Sequence, residues 1–109
     1  MSYNVKTIVI FEKQAKRLLK KYPSLKKELL QLIHKLKENP SQGIGIGKNC
    51  YKIRLAIASK RKGKSGGTRV ITNIVISDET VYLLSIYDKS EKENLTDREL
   101  EELLAFIVE

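Results

Sequence analysis

Apolar and polar positions divide this chain into short segments of two periods. Residues 5–11 (VKTIVIF) are mostly β-branched and predict a strand. Phe11, Ala15, Leu18, Leu19 and Tyr22 then fall at helical spacing and form one stripe, which Pro23 interrupts. Leu25, Leu29, Leu32, Ile33 and Leu36 repeat that spacing in a second helix. It should end near Asn39-Pro40, because the residue before a proline is pushed out of the helical region. The two helices predict a hairpin with lysines on its outer face. Residues 41–49 (SQGIGIGKN) read as a flexible, glycine-rich connector.

Beyond the connector the period becomes two. Tyr51, Ile53, Leu55 and Ile57 alternate with Lys52, Arg54, Ala56 and Ala58, which predicts a strand with one apolar and one partly basic face. The loop SKRKGKSGGT leads to Arg69 and the run VITNIVI, apolar on both faces apart from Thr72 and Asn73, as a central strand would be. A short Asp78-Glu79 turn precedes TVYLLSIY, residues 80–87. Three strands joined in series by short loops predict an antiparallel meander. Near the end, Thr96 and Glu99 form a T-x-x-E capping box, and Leu95 and Leu100 stand where a hydrophobic staple needs them. Leu100, Leu103, Leu104 and Ile107 complete the stripe of a helix over roughly 97–108. The expected class is α+β, in the order β-α-α-β-β-β-α, with the helical hairpin on one face of a twisted sheet. At 109 residues the whole chain, 1–109, suits one domain.

Charge changes the picture most. Residues 1–90 carry 19 Lys/Arg against 6 Asp/Glu, whereas residues 91–109 carry 2 against 7. A basic body with an acidic tail favours a polyanionic partner, although a solvated lysine-rich surface gives the same count. The single cysteine, Cys50, excludes an intrachain disulfide and fits a reducing compartment. The apolar stretch near the N-terminus stops at Glu12-Lys13, too soon for a signal peptide or a membrane span, so a cytoplasmic protein without membrane contact is expected.

Several candidate motifs carry no chemistry. Gly43-Ile44-Gly45-Ile46-Gly47 lacks the strand-before, helix-after setting of a phosphate loop. Gly63-Lys64-Ser65 lacks the glycine five positions earlier, where Ala58 stands, and it joins two strands. His34 is the only histidine and lies beside the apolar stripe, so it reads as a surface residue. That excludes paired-histidine catalysis and a Cys/His zinc site; no metal or cofactor is expected. Cys50 reads as core. What remains is basic. Lys52 and Arg54 project from the same strand face, Arg69 opens the neighbouring strand, and Lys60, Arg61, Lys62 and Lys64 line the loop between. Lys89 follows Tyr87 at the end of the next strand. These segments could converge on one concave surface.

Three segments resemble the RelE superfamily of toxins. Cys50-Tyr51-Lys52-Ile53-Arg54-Leu55 is similar to the C-Y-K-I-K-L strand of RelE-type toxins. Gly63-Lys64-Ser65-Gly66-Gly67-Thr68-Arg69-Val70-Ile71 resembles the G-K-S-G-G-x-R-V-I segment of the HigB-like branch. Residues 83–95 resemble the family's apolar strand and the charged patch after it. The resemblance implies an endoribonuclease that enters the ribosomal A site and cleaves messenger RNA. It implies catalytic residues at Lys52, Arg54, Arg69 and Lys89, with Lys60, Arg61, Lys62, Lys64, Tyr87 and Lys92 holding RNA. It also implies a cognate antitoxin, for the HigB-like branch a HigA-like helix-turn-helix protein. Two positions depart from the pattern: Leu95 stands where RelE has a tyrosine, and Lys89 replaces an arginine. An alternative within the superfamily is a ParE-like toxin that inhibits DNA gyrase without catalysis.

Overall fold

The computed structural model describes residues 2–57 and 67–107. Its elements run β1 (Asn4–Thr7), α1 (Val9–Lys21), α2 (Leu25–Glu38), β2 (Ile44–Gly47), β3 (Cys50–Leu55), β4 (Thr68–Val75), β5 (Thr80–Asp88) and α3 (Asp97–Leu104). The α+β class is as expected. The strand predicted over 5–11 is shorter, however, because Val9, Ile10 and Phe11 belong to α1. Phe11 is buried with Ala15 and Leu18 on the helix's inner face, so packing overrides the strand preference of the β-branched run.

The five strands form one sheet in the order β1-β5-β4-β3-β2. β4 is central and mostly buried along its length, as its two-sided apolarity predicted. The meander β3-β4-β5 is antiparallel throughout, while β1 joins β5 in parallel, Asn4 opposite Thr80 and Thr7 opposite Leu83.

The segment read as a flexible connector contains a strand instead. Ile44 and Gly45 pair with Lys52 and Tyr51, and Gly47 pairs with Cys50. Lys48 and Asn49 turn the chain with φ of 56° and 59°, the two consecutive positive values of a tight hairpin turn. Asn73 of β4 fastens that turn, its Nδ2 donating to the Lys48 carbonyl at 3.0 Å. Gly43 precedes the strand with φ +91°, and a Cβ there would lie 2.4 Å from the Lys52 carbonyl oxygen.

α1 packs along β5, and α2 contacts β1 and α1. Leu18, Leu25 and Leu36 are completely buried between them and the sheet. The Tyr3 N–H donates to the Lys37 carbonyl at 2.8 Å, tying the start of the chain to the end of α2. Cys50 is buried in the core and His34 is exposed, both as read from their positions. The α3 helix begins with the expected capping box: Thr96 Oγ1 accepts from the Glu99 N–H at 3.1 Å, and Glu99 Oε1 accepts from the Thr96 N–H at 3.0 Å. Leu95 and Leu100, the staple pair, lie over the sheet near Lys52, Ile71 and Tyr87. Among the described residues, no helix is long and apolar enough to cross a membrane.

Candidate active site

Strand register assembles the site. Arg54 of β3 lies opposite Arg69 of β4, and Arg69 lies opposite Tyr87 of β5. Partners directly opposite share a sheet face, so these three side chains form a row across three adjacent strands. Lys52 stands two residues before Arg54 on the same face and pairs with Ile71. Side-chain alternation leaves Ile53 and Leu55 on the other face, in the core.

Exposure differs along the row. Arg54 is exposed, whereas Arg69 is 2% and Tyr87 5% exposed. Burial pushes the Arg69 guanidinium below its ordinary pKa; Arg54 adds to that, and Tyr87 acts in the opposite sense. Arginine still holds its proton here, so the result is a desolvated cation under like-charge pressure. Its Nη1 donates to the Thr68 carbonyl at 3.2 Å. Such a cation gains more from an incoming anion than a solvated one would, because little water has to be displaced.

Tyr87 is buried, and its hydroxyl has no hydrogen-bond partner among the described residues. Burial raises its pKa, Arg69 opposes the shift, and Glu99 adds to it. Its ring lines a pocket of about 170 Å³ with Lys52, Ile71, Asn94, Leu95 and Leu100. Lys52 is half-buried there and its Nζ reaches Asn94 Oδ1 at 3.5 Å, at the limit of a hydrogen bond. Leu95 therefore sits beside the basic row and brings an apolar side chain to it.

Lys89 lies just past β5 and is exposed. Its N–H donates to the Gly67 carbonyl at 3.2 Å, which places it beside the start of β4. Gly67 is close against β3: a Cβ there would stand 2.0 Å from the Leu55 carbonyl oxygen, which accounts for a glycine in that part of the G-K-S-G-G block. Lys92 is placed differently from the others. Its ammonium pairs with Glu99, and that contact together with Thr96 lowers the Glu99 pKa to about 2. Lys60, Arg61, Lys62 and Lys64 lie outside the described residues.

Two features have no signal in the sequence pattern. Asp88 is completely buried, and its carboxylate accepts from Tyr22 Oη at 2.9 Å and from Ser90 Oγ at 2.8 Å. Gln14 Oε1 accepts from Ser85 Oγ and from the Ile86 N–H, both at 3.0 Å. The Tyr22 and Gln14 contacts join α1 and its closing residue to β5, so only the folded chain reveals them. Glu91 is bound to Arg17 at 2.8 Å, and that hydrogen bond holds its carboxyl below the ordinary range. Among the described residues, no group of three or more His, Cys, Asp or Glu side chains could hold a metal ion.

Comparison with known proteins gives a consistent result. A family model for the RelE toxin of the RelE/RelB toxin-antitoxin system matches residues 7–107. A doubly substituted E. coli RelE toxin in the free state superposes with a TM-score of 0.62 at 17% identity, covering 99% of this chain and all of that one. The same doubly substituted toxin in complex with a peptide of the antitoxin RelB gives 0.63 at 17% identity, covering 99% of this chain and 100% of that chain. The isolated E. coli RelE toxin gives 0.58 at 16%, covering 97% of this chain and 100% of that chain.

Proposed function

Because the chain belongs to the RelE toxin family, we propose that it is a ribosome-dependent messenger-RNA endoribonuclease of the HigB-like branch, acting in the cytoplasm. The observation that carries this reading is the row Arg54, Arg69 and Tyr87, with Lys52 beside it on the same face. A surface that only binds RNA gains from such a pair through the charge the phosphate already carries. A surface that stabilises charge appearing on a phosphate gains from it again in the transition state.

The reaction is attack of a ribose 2′-OH on the adjacent phosphorus, with loss of the 5′-oxygen of the next nucleotide. Arg54 and Arg69 offset the charge on the non-bridging oxygens. Lys52 and Lys89 flank the row and are the groups for proton transfer, one removing the 2′-OH proton and the other supplying one to the leaving oxygen. Tyr87, Lys92 and the loop residues Lys60, Arg61, Lys62 and Lys64 hold the RNA, the loop chiefly through phosphates. The pairing of Lys92 with Glu99 gives it the weakest claim among these.

The partner is a cognate antitoxin. The structural neighbour bound to a RelB peptide supports a protein partner of this kind, and the HigB-like loop favours a HigA-like helix-turn-helix protein. Its contact surface should offer acidic groups to the basic face. Purified protein incubated with translating ribosomes and a defined message should give fragments by primer extension that are absent without ribosomes. Intact message together with inhibited gyrase would replace this reading with the ParE-like one. Co-expression with the neighbouring reading frame should restore growth.

A further inference from the structure

The four residues that carry Lys89 out of the sheet are held from one side by a single helix end. Tyr22, the residue that closes α1, donates from Oη to Asp88 Oδ2 at 2.9 Å. Asp88 Oδ1 accepts from the Ser90 N–H at 3.0 Å and from Ser90 Oγ at 2.8 Å, which folds the chain tightly around Lys89. One turn earlier on α1, Arg17 Nη2 holds Glu91 Oε1 at 2.8 Å, and Lys21 lies 3.7 Å from the other carboxylate oxygen. The Lys21 ammonium also sits 5.3 Å from the centre of the Tyr22 ring. Residues on both sides of Lys89 are thus fixed to the last turns of α1 and its closing residue.

The two anchors are unequal. The Arg17–Glu91 pair is exposed, and exposed ion pairs contribute little. Asp88 is completely buried, and its carboxylate is held by hydrogen bonds to Tyr22 and Ser90. Burying a carboxylate is costly unless hydrogen bonds compensate, so each of those bonds restricts the chain strongly. A lysine side chain has four rotatable bonds and is a poor proton carrier unless its backbone is fixed, since a displacement of about 1 Å at a reacting group can cost on the order of a hundredfold in rate.

We propose that Tyr22 and Asp88 are positioning residues: the buried Tyr22–Asp88–Ser90 cluster holds the backbone of Lys89 at the edge of the Arg54–Arg69–Tyr87 row. This rests on the nuclease reading for its effect on rate, though not for its effect on order. The cluster also makes α1, which bears none of the proposed catalytic side chains, part of the site's alignment.

The test is a double-substitution cycle on the full chain. In single-turnover cleavage at saturating ribosome, Tyr22→Phe should slow the reaction on the order of tenfold, the loss of one hydrogen bond to a charged group. Ribosome affinity should be unchanged. In a Lys89→Ala background the same substitution should change the rate less than about twofold, because its effect passes through the missing lysine. A full tenfold loss that persists without Lys89 would mean that Tyr22 acts through the fold at large and would overturn the proposal. So would an unchanged rate for Tyr22→Phe alone. Amide relaxation by NMR keeps the proposal testable whatever the activity. Lys89, Ser90 and Glu91 should lose order in Tyr22→Phe while β4 does not; unchanged order there refutes the cluster's role. A wild-type protein that cleaves nothing would sink the nuclease reading and leave the order measurement to decide this one.

Discussion

Replacing Tyr87 with phenylalanine should stabilise the protein and slow its reaction at the same time. The hydroxyl is buried with no hydrogen-bond partner among the described residues, and Tyr87 as a whole is 5% exposed. A buried hydroxyl without a partner costs about 1–3 kcal/mol relative to one left in water. Phenylalanine keeps the ring and its packing, so the change removes that cost and little else. Taking about 1 kcal/mol as the gain, the melting temperature should rise by about 4–8 °C in a domain of this size. The effect should also depend on pH with a definite sign. Burial raises the Tyr87 pKa in the folded state, so the unfolded chain ionises first. Wild-type stability from this group is complete below about pH 10 and falls as pH rises through the folded value. Phenylalanine has no such loss, and its advantage should widen in alkali. Chemical denaturation at pH 7 and at pH 10.5 measures both effects. A variant less stable than wild type by more than about 0.5 kcal/mol, the size of an ordinary surface change, would show that the hydroxyl has a structural partner and would refute the reasoning. The slower cleavage follows from the same premise: a group kept at a cost to stability is kept for the substrate.

Arg69→Ala should reduce single-turnover cleavage by about 2–4 kcal/mol of transition-state stabilisation, with a smaller effect on ribosome binding; a rate within about twofold of wild type removes Arg69 from the site. Thr96→Ala breaks the capping box and should cost about 1 kcal/mol in denaturant unfolding at pH 7. Glu99, held at a pKa of about 2 mainly by Lys92 and then by Thr96, contributes stability that is present above about pH 4.5 and lost as pH falls toward 2. Glu99→Gln should therefore flatten the acid limb of the stability curve. Gly67→Ala must move backbone, because its new Cβ would meet the Leu55 carbonyl at 2.0 Å; it should destabilise by at least about 1 kcal/mol and shift the amide resonances of Arg54 and Arg69.

Much of this was legible from residue order. The helical stripes, the central strand around VITNIVI and the capping box at Thr96 are local patterns, and each appears in the structure where it was expected, except that α3 stops at Leu104 instead of near 108 and leaves Ile107 outside the helix. The row of cations follows from alternation once the meander is granted, since Arg54 and Arg69 both face one way. Three features were not legible. β2 carries two glycines in four residues, which weakens every strand signal, and it exists because a turn at Lys48-Asn49 and the amide of Asn73 hold it to β3. The first strand ends early because Phe11 has a better place in the core as part of a helix. The burial of Tyr87 and Asp88 depends on α3, the 94–97 segment and Tyr22 arriving from distant parts of the chain. No window of sequence contains those contacts.

The parallel pairing of β1 with β5 also sets the order in which the chain can fold. Asn4 meets Thr80 and Thr7 meets Leu83, so the first strand made has to wait for one of the last. Pairings this far apart in sequence are slow, because the loop must close before any contact stabilises it. On a translating ribosome, the helical hairpin and the β2–β3 turn can form early from local contacts. The edge of the sheet cannot be finished until residues 80–88 have left the exit tunnel. Tyr87 and Lys89 emerge at that same moment. A nascent chain thus lacks the β1–β5 edge, and with it the end of the Arg54–Arg69–Tyr87 row, until most of its length has been made.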